Sequence, residues 1–386
     1  MKKILPLLSL FVALVIALTA CSQPAAPAPA ATQAPAAKPA EKPVEKAAEK
    51  PAAPAPTAQP AAQPAAKPAE KPAAAAPVQT IEWKAVAGWA KGILFRTYWV
   101  EPFIDRVAKE TNGQLKMTLV GPEAWPTFEQ VKAVRDGAFD ITFSTPAFYE
   151  DMMPGAFAAN LVYAPAKERR DKGMFAAFEK EYAKKVNSKY IVEFAMGAQN
   201  HIFTKPKVTK IEDFRGMKLR SARGYDPMMV GLGASPTDVS VEETLPALER
   251  GVVQGLMFPG VPFTAMKYHE YTKYVIFPGL GEVIITGMVN QNSWSKLPKN
   301  VQDAVEKAAR DTETELRPGY IKLYEEEVQK MLASGMEKVT LSDADSAKYL
   351  DLLVDEYMKQ MFVPRSPEFA TEMKAILAKF PKLSAR

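Results

Sequence analysis

The sequence runs to 386 residues and carries 49 Lys and Arg against 44 Asp and Glu, a formal charge of +5. The excess sits in residues 1–80, which hold eight Lys and four acidic residues and leave 41 basic against 40 acidic in residues 81–386, so the remainder lacks the basic footprint of a nucleic-acid binder. The single cysteine, Cys21, excludes disulfides, a thiol nucleophile in the fold and cysteine-held metal sites together.

In chain order, Lys2 and Lys3 precede an apolar run from Ile4 to Leu18 broken only by Pro6 and Ser9, and then comes Leu18-Thr19-Ala20-Cys21. Charge, length and small residues at the end predict a secretion signal over residues 1–20; a membrane span needs about 20 apolar residues and other flanks. Leu-Thr-Ala-Cys is similar to the bacterial lipobox, which implies a lipid on Cys21 and an exported protein held at the cell envelope. From Ser22 to about Val78 the chain is mainly Ala, Pro, Lys, Glu and Gln, with no aromatic residue. Such a segment buries too little apolar surface to offset the entropy of ordering. Residues 21–80 are therefore expected to be a disordered tether, extended by proline at about 3.1 Å per residue.

The remaining residues have the apolar share of ordinary globular structure, enough for two lobes. The pattern predicts a strand over Ile81–Ala87, a helix around Phe95–Glu110 closed by Thr111-Asn112-Gly113, and a strand over 114–120. A helix from Pro126 to Asp136, with Gly137 past its end, and a strand over Phe139–Ser144 follow. This alternation argues for an α/β fold with largely parallel sheets. The segment Ala133 to Phe143 is echoed by Ala247 to Phe258, each reading as helix, Gly stop and strand. Two similar units predict two lobes of related construction, with strand ends facing a cleft. Lys299 to Lys330 has helical spacing and a length fit to span both lobes, with a bend or interruption expected at Pro318.

No catalytic pattern stands out. The two histidines, His201 and His269, fit neither a triad nor a metal-ligand spacing, and no nucleophile elbow, phosphate loop or dinucleotide fingerprint occurs. No enzyme activity, cofactor or metal is expected.

Asp213-Phe214-Arg215-Gly216-Met217-Lys218-Leu219-Arg220 is followed by Leu232-Gly233-Ala234-Ser235-Pro236, by the Leu245 to Gly255 unit, and by Val289-Asn290 through Trp294 to Leu297-Pro298. Together with Gly121 to Phe143, these stretches resemble the solute-binding proteins of TRAP transporters, the family typified by C4-dicarboxylate binding. The resemblance covers about residues 81–360. It implies a two-lobed periplasmic binding protein fold, type II-like, with a hinge and a long interlobe helix. Lobe one would be 81–197 with 286–325, and lobe two 198–285 with 326–386. The implied partners are a small organic acid and the membrane subunits of a TRAP permease. The binding protein of an ATP-driven transporter, a ligand-sensing subunit of a membrane receptor and a secreted hydrolase are the rival readings.

Arg220 lies on the position of the family's ligand-carboxylate arginine, where a planar fork of donors suits a carboxylate and stays ionised when desolvated. Two departures narrow the ligand. Sialic-acid and dicarboxylate members read Gly-Gln-Glu-Asn-Pro where this chain has Gly255-Leu256-Met257-Phe258-Pro259, and Asn200 stands where sialic-acid members have a second arginine. A strongly polar sugar acid is thereby disfavoured, and an acid with an aromatic or aliphatic body is expected. Trp89, Thr127, Ser144, Thr145, Arg223 and Val241 are carried over as further pocket candidates, with Trp125 and Tyr149 close by in sequence. Arg223 is a candidate for a second acidic group.

Overall fold

The computed structural model describes residues 80–385; the expected signal peptide, Cys21 and the tether as far as residue 79 lie outside them. In β1 (Ile81–Ala87), exposed Glu82 and Lys84 alternate with buried Trp83 and Ala85, which fixes one face on a core. A π turn, Arg96–Val100, leads into α1 (Glu101–Glu110), which buries Phe103 and Val107 one turn apart. The helix stops where Asn112 and Gly113 take φ 51° and 74°, the left-handed region that glycine enters freely. Next come β2 (Leu115–Val120), a 3-10 turn (Thr127–Glu129), α2 (Gln130–Arg135) and β3 (Ile141–Ser144), close to the expected bounds. The chain continues through α3 (Ala166–Asp171), α4 (Met174–Val186), β4 (Ser188–Thr204), β5 (Lys218–Ser221), α5 (Asp226–Gly231), β6 (Ser235–Asp238), α6 (Val241–Glu249) and β7 (Gly255–Pro259). It then runs through β8 (Tyr274–Phe277), β9 (Leu280–Asn290), α7 (Gln291–Ser295), α8 (Lys299–Ala333), β10 (Glu337–Thr340), α9 (Asp343–Tyr357), α10 (Val363–Arg365) and α11 (Pro367–Leu377).

The strands form one mixed sheet in the order β2-β1-β3-β9-β4-β7-β5-β6, with β8 and β10 attached beside β4. Its two halves repeat one plan. β1 pairs in parallel with β2 and β3, β5 pairs in parallel with β6 and β7, and an antiparallel strand completes each half, β9 beside β3 and β4 beside β7. The echo in the sequence marks equivalent places in this plan: Gly137 before β3 and Gly251 before β7 have φ 83° and 69°. The largely parallel sheets expected from the sequence are corrected at the centre. There β4 and β9 run antiparallel from Ser188↔Asn290 onward, and both are so evenly buried that their apolar runs carry no sign of strand direction.

The protein is two-lobed, and β4 and β9 carry the chain between the lobes. The first part of β4 pairs with β9 and its last part with β7, with register shifts between Ala195 and Asn200 around Gly197, whose φ is 73°. A Cβ on Gly197 would lie 2.3 Å from Ile321 Cγ1, so α8 rests directly on this crossing. α8 reaches the first lobe through the Tyr98 hydroxyl, which donates to the Leu316 carbonyl at 3.1 Å, and the second through Tyr324, whose hydroxyl lies 2.7 Å from His201 Nε2. The interruption expected at Pro318 does not occur: the 35-residue helix runs through it, with Gly319 close against the Tyr98 hydroxyl. The C-terminal segment, expected to belong wholly to the second lobe, packs through α9 on α5 and through α11 on α4, where Phe369 meets Phe178 at 6.0 Å. Among the described residues, no helix is long and apolar enough to cross a membrane.

Candidate functional site

The carboxyl ends of β1, β3 and β5 point at a cavity of ≈ 40 Å³ that is also lined by residues of β4, β7 and β9. Strand ends in open α/β sheets leave such a crevice because each chain must turn there into the next helix. Trp89 follows β1, Thr145 follows β3, and Arg220 stands near the end of β5 opposite Leu256 of β7. The walls are mostly apolar. Trp89 packs on Phe95 at 5.3 Å and on Phe148 at 6.3 Å, and Phe95 faces Phe258 at 6.4 Å.

Arg220 is 2% exposed. Its Nε donates to the Val239 carbonyl at 3.0 Å and its Nη1 to the Met257 carbonyl at 3.1 Å, while the guanidinium lies 5.7 Å from the Phe258 ring centre. Three buried arginines occur among the described residues. Arg169 pairs with Glu193 and Glu282, Arg96 pairs with Glu101, and Arg220 alone has no carboxylate within 4.0 Å. Burial pulls its pKa below the usual arginine value, only partly countered by Tyr268, Asp238, Glu242 and Asp226 at longer range. An unpaired buried cation costs several kcal/mol, and an anion entering the cavity removes that cost. Val241 opens α6 at the same wall, bringing the positive end of the helix dipole to it.

The other polar groups are neutral. Asn200 Nδ2 donates to the Tyr225 hydroxyl at 2.6 Å, and Asn160 Nδ2 donates to the Glu282 carbonyl at 2.9 Å. Burial raises the Tyr225 pKa, so this hydroxyl stays protonated.

Six of the expected site residues, Arg220, Phe258, Asn200, Trp89, Thr145 and Val241, come together at the cavity. The other four are not among the residues that line it. Thr127 donates to the Gly88 carbonyl, and Ser144 is buried on β3, where its carbonyl takes the Thr286 hydroxyl at 3.0 Å. The Tyr149 hydroxyl is held at 2.6 Å by both Tyr182 and Thr286 inside the first lobe. Arg223 is paired with Asp151 and Asp238 outside the cavity. Trp125 is 36% exposed and meets Phe139 edge-on at 5.7 Å. Sequence reasoning missed Phe95, Phe148, Asn160 and Tyr225, together with the Val283 to Ile285 wall. Ile284 and its neighbours sit in an unbroken apolar strand that reads as core, and Asn160 lies in a 3-10 turn with no pattern of its own.

The family model described as bacterial extracellular solute-binding protein, family 7 (DctP), matches residues 96–363, well over half of the sequence. The chain belongs to this family. Members of family 7 are extracytoplasmic solute-binding proteins, not enzymes, and this DctP-type chain binds a solute rather than transforming one. It is 25% identical over 281 residues to the monocarboxylate 2-oxoacid-binding periplasmic protein of Nostoc sp., covering 69% of this chain and 76% of that one. It is 28% identical over 172 residues to the C4-dicarboxylate-binding periplasmic protein DctP of Rhodobacter capsulatus, covering 44% and 49%. The DctP-type fold is shared with the TRAP periplasmic solute-binding protein of Desulfovibrio salexigens, solved with bound orotic acid: TM-score 0.69 at 18% identity, over 77% of this chain and 99% of that one. It is shared equally with a marine metagenome TRAP solute-binding protein in complex with pyroglutamate: TM-score 0.68 at 19% identity, over 78% and 100%.

Proposed function

We propose that this TRAP-type solute-binding protein captures a small organic acid between its lobes and delivers it to the membrane subunits of a permease. The observation that carries the reading is Arg220, the buried arginine left without a carboxylate. A ligand carboxylate would take the remaining donors of its fork, and its body would lie against Trp89, Phe95, Phe148 and Phe258. Arg220 is the one charged side chain lining the cavity among the described residues, which favours a single carboxylate with neutral polar atoms toward Asn200 and Tyr225. Three of the relatives' names fit this chemistry, since the Nostoc protein binds monocarboxylate 2-oxoacids and orotate and pyroglutamate each carry one carboxylate, whereas the Rhodobacter capsulatus protein is named for C4-dicarboxylates. The lobes would part at β4 and β9, with residues 81–197 and 286–325 moving against 198–285. A thermal-shift screen tests the function. Small monocarboxylates should raise the melting temperature, and stabilisation by neutral sugars or cations alone would refute the reading.

Export and anchoring complete the proposal. The signal over residues 1–20 and the lipid on Cys21 would hold the protein near its permease, raising its local concentration there. Cys21→Ala should move the protein from the membrane fraction to the soluble fraction after export. Unchanged membrane retention would remove the anchor from the account.

A further inference from the structure

Arg223 follows β5 in the second lobe but does not reach the cavity. Its guanidinium crosses to the first lobe, where Nη1 donates to Asp151 Oδ2 at 2.5 Å and the group lies 5.0 Å from the centre of the Phe128 ring. Its Nε is held from its own side by Asp238 Oδ2 at 3.0 Å. The second Asp151 oxygen accepts from Arg365 Nη2 of the C-terminal segment at 3.1 Å. Phe128 in turn meets Phe148, a wall of the cavity, edge-on at 5.3 Å. One guanidinium thus joins both lobes, with Asp151 shared between two arginines.

We propose that Arg223 is a latch on the cleft: with Asp151 as its counterpart it biases the lobes toward the closed arrangement, and Arg365 ties the C-terminal segment into the same junction. The proposal rests on the reading that the ligand enters between the lobes. Three features support a latch over a ligand contact. The Arg223 fork is already directed at two carboxylates, so it has little left for a ligand acid. Asp151 and Arg223 lie on opposite sides of the cleft, so separating the lobes must break their pair. The side chains are 33% exposed for Arg223, 46% for Asp151 and 37% for Arg365, which lets water and salt compete for them and keeps the latch reversible.

The test measures interlobe distance without ligand, so it does not depend on which acid is bound. In the full chain carrying Cys21→Ala, Lys116→Cys on β2 and Lys218→Cys on β5 provide sites for spin labels, and pulsed electron paramagnetic resonance gives the distance distribution. Asp151→Asn and Arg223→Gln should each shift the open-to-closed ratio toward open by about three- to tenfold, the scale of a few half-exposed ion pairs acting together. Arg223→Lys should recover part of the closed population. Raising NaCl from about 50 mM to about 0.5 M should open the parent protein but leave Arg223→Gln unchanged. Circular dichroism on each variant establishes that it is folded. Superimposable distributions for parent, Asp151→Asn and Arg223→Gln would overturn the latch, and so would a salt response that persists in Arg223→Gln.

Discussion

Replacing Glu282 with Gln tests whether the crossing between the lobes is held by buried charge. Glu282 is fully buried on β9 and each carboxylate oxygen is used twice. Oε1 accepts from Gly197 N at 2.6 Å and from Arg317 of α8, and Oε2 accepts from Ala164 N at 3.0 Å and from Arg169 at 2.8 Å. Four segments meet on this one side chain: the approach to α3, α3 itself, the irregular part of β4, and α8. A glutamine keeps the shape, but its amide nitrogen must face one of these donor pairs. Two charge-assisted bonds are lost, and two donors are left opposing a third. Breaking one partner out of a buried ion pair costs about 3–5 kcal/mol, a large part of the ~5–15 kcal/mol that holds a typical domain together. At about 2–4 °C per kcal/mol for a chain of this order of size, the melting temperature should fall by roughly 6–20 °C. Thermal unfolding followed by circular dichroism reads this directly. A fall of less than about 3 °C would refute the reasoning and mean that backbone hydrogen bonds and apolar packing carry the crossing.

His201 should make stability depend on pH. It is fully buried, Nδ1 faces the Ile276 carbonyl at 2.9 Å and Nε2 faces the Tyr324 hydroxyl at 2.7 Å, and burial lowers its pKa to about 4. Because the folded value lies below the unfolded value of about 6.5, the contribution is complete above pH 6.5 and is lost as pH falls toward 4, by up to about 3 kcal/mol. Chemical denaturation at pH 7 and pH 4.5 should show the parent losing more stability over this interval than His201→Gln does, a comparison that cancels the opposite contributions of Glu150 and Glu313, whose burial raises their pKa to about 7. Phe258→Asn puts the side chain found in sialic-acid and dicarboxylate relatives against the cavity. It removes an apolar wall, so affinity for acids with an aromatic or aliphatic body should fall about tenfold or more by calorimetry. Unchanged affinity would place the ligand body elsewhere.

Much of the fold is written locally. The alternation of β1, the one-turn spacing of Phe103 and Val107, and the left-handed glycines after α2 and α6 are each decided by neighbours in sequence. The antiparallel pairing of β4 and β9 is not, because a strand buried on both faces shows no alternation and partner direction is set by the route of the whole chain. The site divides in the same way. Arg220 is legible through its surrounding motif, and Phe258 and Asn200 as departures from it. Tyr225 and Asn160 are placed at the cavity with hydrogen bonds to Asn200 of β4 and to the Glu282 carbonyl of β9, which exist only once those strands and two separate 3-10 turns are brought together. Thr127, Ser144, Tyr149 and Arg223 have the right chemistry and neighbouring positions, but a rotation of one residue along a strand or turn directs a side chain into the core or toward solvent.

The most direct test of the account is calorimetric titration of small monocarboxylates, 2-oxoacids and cyclic acids included, into the parent protein and Arg220→Met, with the melting temperature of each ligand-free protein measured alongside. Two charge-assisted bonds to one carboxylate predict a loss of at least about 100-fold in affinity. Relief of a buried cation that has no carboxylate partner opposes the loss of its hydrogen bonds to the Val239 and Met257 carbonyls, which predicts a ligand-free melting temperature that changes little. Acids that bind Arg220→Met as tightly as the parent would contradict the account, as would a ligand-free variant that is strongly destabilised, since Arg220 would then be held for the fold and not for the ligand.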